Sequence, residues 1–264
     1  MTTGSDCERR RDRYPEEPSN CLSSIAFLPG AAVLAARARR PHCADPTSDR
    51  LLALAMAANG IGSAAYHARC TPVSRWLHDW AITSILWLLG TGTMKPRWRH
   101  HTEVGGLAAA AAAHAVQPGT APVVQGLAAL SMARTWFGPK QPGQRTVSAS
   151  SPAVGSALLA LAGACYVAGR TGSPWCKPDS RLQFHAGWHV LAAAGVTILA
   201  LDVDSRRGAH GLAAVGPTAR STPYHNRWPS RCPYRRRRCL GLVLRRGCRC
   251  LVLRRCGRRR RHRR

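Results

Sequence analysis

Two short motifs far apart in the chain, Gly62-Ser63-Ala64-Ala65-Tyr66-His67 and His185-Ala186-Gly187-Trp188-His189, offer three imidazoles to a single metal ion. On a helix, His185 and His189 are spaced i,i+4 and share one face, and Ser63 and His67 repeat that spacing elsewhere. A catalytic zinc takes three protein ligands and keeps a fourth position for water, whose pKa falls to about 7. Three histidines meet that count. Asp79 follows across the Cys70-Thr71-Pro72 turn, where a carboxylate can orient a ligand or accept the water's proton. Ser63, one turn below His67, can hydrogen-bond the water or a developing oxyanion, and Asn59 continues the stripe. A single histidine in a helix is more often a satisfied core residue, so His78, His100, His101 and His114 receive no role.

Apolar segments must position these residues. The chain has 264 residues, 45% of them hydrophobic, yet carries a formal charge of +27. Residues 206–264 resolve the conflict: they hold 20 of the 39 Lys and Arg and no Asp or Glu, leaving 19 basic and 12 acidic residues upstream. In that upstream body, seven apolar segments recur, at about 20–37, 51–68, 76–93, 103–117, 121–138, 149–169 and 183–203. Each approaches the roughly 17–25 residues of a membrane-spanning helix. Breaks such as Pro41-His42-Cys43-Ala44-Asp45-Pro46 and Gln141-Pro142-Gly143-Gln144 have turn chemistry. The expected fold is all-α: an N-terminal segment (1–19), a seven-helix membrane domain (20–203) and a basic low-complexity tail (204–264). The first twenty residues contain no apolar h-region, so no cleavable signal peptide is expected. The body's scattered cysteines suggest no disulfide framework.

Seven spans place the N-terminus, the end of span two and the starts of spans three and seven on one side. His67, Asp79, His185 and His189 occupy those places, so span count and constellation agree. Loops after spans one, three and five carry Arg37, Arg39, Arg40, Arg50, Lys95, Arg97, Arg99, Arg134, Lys140 and Arg145. The opposite loops carry Arg69, Arg75, Arg170, Lys177 and Arg181. The positive-inside rule then puts the C-terminus in the cytoplasm, with the N-terminus and the site outside.

The pattern Gly62-Ser63-x3-His67, an aspartate near the start of the next span (Asp79), and Phe184-His185-x3-His189 opening the last span resembles the alkaline ceramidase family. That family lies within a wider superfamily of seven-span hydrolases that includes adiponectin-receptor-like proteins. The resemblance covers about residues 5–203. It implies a zinc-dependent amidase with His67, His185 and His189 as ligands, Ser63 and Asp79 as the polar pair, and a ceramide-like membrane lipid as substrate. Asp6-Cys7-Glu8 and Glu17-Pro18-Ser19-Asn20 also resemble the family's acidic N-terminal elements. In members with a calcium site such oxygens are the ligands, which here points to Glu8, Glu17 and Asn20. Arg9 to Arg13 would neutralise that site, and the alternative is an N-cap in which Asn20 or Ser19 satisfies first-turn amides.

Two other functions stand beside the hydrolase. A receptor-like or structural seven-helix protein would hold zinc without turnover. A transporter would line a route with its polar residues, but no internal repeat is visible and the polar residues gather at one end. The Arg-, Gly-, Pro- and Cys-rich tail has no core-forming pattern. It suits attraction to anionic lipid or nucleic-acid binding by charge alone, with no specific nucleic acid expected. Its composition is also what a GC-rich gene yields when read out of frame. Cys232, Cys239, Cys248, Cys250 and Cys256 lack zinc-ribbon spacing.

Overall fold

Proline and short capping side chains open most of the helices. Pro18, Pro46 and Pro72 occupy first-turn positions, where a missing N–H costs nothing and φ is already helical. Asp45 caps its helix by accepting from Ser48 N at 3.1 Å. Thr71 and Ser74 form a reciprocal capping box. The resulting elements are α1 (Pro18–Ser24), α2 (Phe27–Arg37), α3 (Pro46–Ala68), α4 (Pro72–Gly90), α5 (Pro96–Val116), α6 (Ala121–Phe137), α7 (Ser150–Ala168) and α8 (Phe184–Ala214).

The computed structural model describes residues 6–92, 94, 96–137 and 150–214. The chain divides into two units, Met1–Thr218 and Ala219–Arg264, and all the described residues lie in the first. The Gln141–Gln144 turn, Lys95, Lys140, Arg145 and the arginine-rich sequence beyond Ala214 lie outside the described residues. Among the described residues the protein is all-α, with one isolated antiparallel bridge between Asp6 and Arg170.

Every apolar segment expected from the sequence is helical, with two corrections. The first is broken into α1 and α2, because Pro29 cannot donate to the carbonyl of Ile25; Leu28 N takes that acceptor at 3.0 Å instead. The last helix runs past Val203 to Ala214. Two stretches, Pro18–Arg37 and Phe184–Asp202, are long and apolar enough to cross a membrane.

The core lies where α1 and α2 pack against both α3 and α8. Phe27 and Leu34 meet Met56 of α3, Leu89 of α4, and Val196 and Leu199 of α8. Outside this centre, α7 lies along α8, and α4 contacts α5 and α6. The Ala-rich α5 has little side chain to pack. Indoles of α4 hold it instead: Trp76, Trp80 and Trp87 donate to the carbonyls of Ala111, Leu107 and Thr102 at 3.0–3.1 Å. Hydrogen bonds of this kind contribute about 0.5–1.5 kcal/mol each, net.

Buried ions fasten the end of the bundle where α2 finishes and α3 and α5 begin. Arg37 forks onto Asp49 at 2.5 and 2.6 Å and also donates to Ala200 O. Arg99 pairs with Asp45 at 2.6 Å, and Ser48 bonds the fully buried Glu103 at 2.8 Å. Two arginines counted above toward loop charge are therefore neutralised internally.

Cys7 and Cys176 form a disulfide, which corrects the expectation of none. It ties the N-terminal segment to the connection between α7 and α8, assisted by Cys7 N donating to Gly169 O at 2.8 Å. No spacing rule in the sequence selects this pair.

Candidate metal centre

His67 is carried by the last turn of α3, and His185 and His189 by the first turns of α8. Close approach of backbones fixes both ends. A Cβ on Gly62 would lie 2.7 Å from Leu77 Cγ and 3.1 Å from His78 N, and one on Gly169 would lie 2.6 Å from His185 N. Larger residues at either position would push α4 or the end of α7 away from the histidines.

The three rings meet with centroids 4.7–5.2 Å apart. Each histidine is 1–4% exposed. Their ligand nitrogens all lie within 4.8 Å of one another. Zinc–nitrogen bonds of about 2.0–2.1 Å would draw them inward.

The Nδ1 atoms of His67 and His189 are engaged from outside the cluster. His67 Nδ1–H donates to Glu17 Oε2 at 2.7 Å. His189 Nδ1 lies 2.8 Å from Ser23 Oγ. His185 Nδ1 lies 3.3 Å from Asp6 Oδ1, without hydrogen-bond geometry. Of the Nε2 atoms, those of His67 and His185 have no partner, and that of His189 lies 3.3 Å from Ser63 Oγ. Buried ring nitrogens without partners are costly, whereas metal-binding histidines commonly use one nitrogen for the ion and the other for a carboxylate or hydroxyl. The donor set fits zinc on this ground.

Ser63 joins the cluster as expected, 2.9 Å from Ser24 Oγ. Asp79 does not. Adjacent helical residues point about 100° apart, and in α4 it is His78 that faces His67, with ring centroids 6.3 Å apart. Asp79 sits behind it, accepting from His78 Nδ1 at 2.9 Å and pairing with Arg75 at 3.8 Å. Among the other histidines left without a role, His114 bonds Thr83 and His100 bonds Glu103.

Glu8, Glu17 and Asn20 do come together, but not as an open oxygen cage. Glu8 accepts from Ser19 N and Asn20 N, both at 2.9 Å, and so caps α1 from upstream. This replaces the N-cap expected of Asn20 or Ser19. Glu17 is enclosed by His67, by Arg10 Nε at 3.0 Å and by Asn20 Nδ2 at 3.2 Å. Burial opposes its charge, but these donors outweigh burial and hold Glu17 below the usual carboxylate range. Asp6 goes the other way: burial pushes its carboxyl up, only partly offset by His67 and Arg170. Calcium requires six to eight oxygen ligands; with Arg10 on Glu17, these residues do not fit it.

Asp6, Arg10, Ser23, Ser24 and His78 were not assigned to this centre from the sequence. Of these, only Asp6 is picked out by the sequence, within the acidic element Asp6-Cys7-Glu8. Comparison with protein families, curated proteins and solved structures finds no match for this chain.

Proposed function

We propose that the protein is a zinc-dependent intramembrane hydrolase of a lipid amide with a ceramide-like N-acyl group, of the alkaline ceramidase type. The two partnerless Nε2 atoms, on His67 and His185 beside His189, carry this reading. His67, His185 and His189 would hold the ion. Bound zinc supplies a Lewis acid that polarises a carbonyl and makes water nucleophilic near neutral pH.

Glu17 and Ser23 fix the rings of His67 and His189. Ser63 offers a hydroxyl within the cluster. His78, held at Nδ1 by Asp79, keeps Nε2 to take or give a proton. Asp79 thus acts through its neighbour.

Membrane embedding is supported by large apolar side chains left exposed along several helices, among them Leu54, Ile61, Val123, Leu127, Leu161 and Val190. In a multi-pass arrangement they would face lipid. The disulfide lies at the same end as the histidines, and such bonds persist in oxidising compartments. That agrees with an N-terminus outside and a cytoplasmic C-terminus.

The test is zinc content together with fatty-acid release from a panel of lipid amides by the purified full-length protein in detergent. About one zinc per chain and amide cleavage are expected. Zinc without turnover would make it a receptor-like or structural zinc protein, and absence of both sinks the metal centre. Asp79→Asn should keep the zinc and lower turnover about 10–100-fold, as loss of an orienting partner does. Full turnover in that variant would leave Asp79 and His78 without a role in the reaction.

A further inference from the structure

Glu17 is the hinge between the metal centre and the N-terminal segment. Its carboxylate is 2% exposed and accepts from three side chains: Oε2 takes His67 Nδ1–H and Asn20 Nδ2, and Oε1 takes Arg10 Nε. A buried carboxylate needs compensating positive charge as well as hydrogen bonds. His67 supplies a hydrogen bond whose direction matters for zinc, and Asn20 is neutral. Arg10 is therefore the full cation on Glu17, and it reaches there from a segment that is itself fastened. Arg11 N donates to Glu16 O at 2.9 Å and Glu16 N to Ala68 O at 3.0 Å. Arg9 N donates to Pro178 O at 3.0 Å, and Cys7 is bonded to Cys176.

We propose that Arg10 is a built-in cation that positions Glu17, and through it His67, so that this metal centre works without calcium. The inference rests on the zinc reading above. It gives Arg10 a purpose: the residue that spoils an oxygen cage at Glu17 supplies in covalent form the charge that a bound divalent ion would otherwise provide. Arg10 touches neither the proposed zinc nor a substrate and is a positioning residue.

The experiment follows zinc release from the purified full-length protein into a chromophoric chelator, in calcium-free buffer and with calcium chloride added. Wild type should release zinc at one rate in both buffers. Arg10→Gln should release it about 10–100-fold faster, the usual effect of losing support around a ligand, and added calcium should slow that variant. Arg10→Lys should recover most of the wild-type retention, because it keeps the charge. Arg13→Gln, at an exposed position, should match wild type. A merely structural arginine would lower thermal stability without making zinc release calcium-sensitive or rescuable by lysine.

Wild-type release rates in Arg10→Gln, or calcium-dependent release in wild type, overturn the proposal. The wild-type calcium response decides the matter even if Arg10→Gln fails to fold. Zinc that is held without lipid hydrolysis removes the hydrolase reading and leaves Arg10's role to stand on the release rates. A wild type that holds no zinc overturns both.

Discussion

Alanine at His67, His185 or His189 should empty the metal centre and stop lipid-amide hydrolysis in the same variant. In the proposed zinc centre each ring would supply one of three ligands, and two remaining imidazoles would hold zinc far less firmly than three. Each substitution also removes a contact from outside the cluster: Glu17 loses its hydrogen bond from His67, Asp6 the His185 ring 3.3 Å away, and Ser23 the His189 ring. Zinc measured by elemental analysis should fall from roughly one per chain to well below it, with fatty-acid release at background. His114→Ala is the informative control. His114 is as buried as the three, but it bonds Thr83 between α4 and α5, so zinc should be retained. Full occupancy after losing any of the three would remove that residue from the site.

The second large effect is on stability, at the other end of the bundle. Arg37→Met should cost about 3–5 kcal/mol, because it leaves the Asp49 carboxylate buried without its cation. That is a large part of the 5–15 kcal/mol that typically separates folded from unfolded domains. Asp49 is 2% exposed, and the thiol of Cys43 at 3.3 Å is a poor substitute for a guanidinium. The double variant Arg37→Met with Asp49→Leu should recover most of the loss, since it removes both charges together. Thermal unfolding of the detergent-solubilised protein reads both. A single variant as stable as wild type would show that the pair adds nothing.

The helices were legible because their boundaries are written in local chemistry. Asp45-Pro46 and Thr71-Pro72 announce helix starts whatever packs around them, and α3 and α4 begin there. The end of α8 was not legible from hydropathy, because Asp202, Asp204, Arg206 and Arg207 end an apolar run without ending a helix. The break before α2 was visible in Pro29 but was outweighed by the apolar run across it. At the centre, the i,i+4 spacing fixed His185 beside His189, and counting spans brought His67 to the same end. Helix phase was beyond reach. Whether His78 or Asp79 faces His67 depends on how α4 rotates against α3, which the contact at Gly62 sets. The outer partners were equally hidden, since Glu17 meets His67 fifty residues away in sequence.

The disulfide imposes an order on biosynthesis. Cys7 and Cys176 are 169 residues apart, so at about 5–20 residues per second Cys7 emerges roughly 8–34 s before its partner. Through that interval its thiol shares the outer side proposed for it with Cys70, which stays exposed in the finished protein. His185 and His189 are made later still, so the three-histidine cluster cannot form until α8 arrives. Cys7 can thus serve as a timer: in pulse-labelled chains it should stop reacting with a thiol reagent only once Cys176 has been made, shortly before His185 and His189 follow.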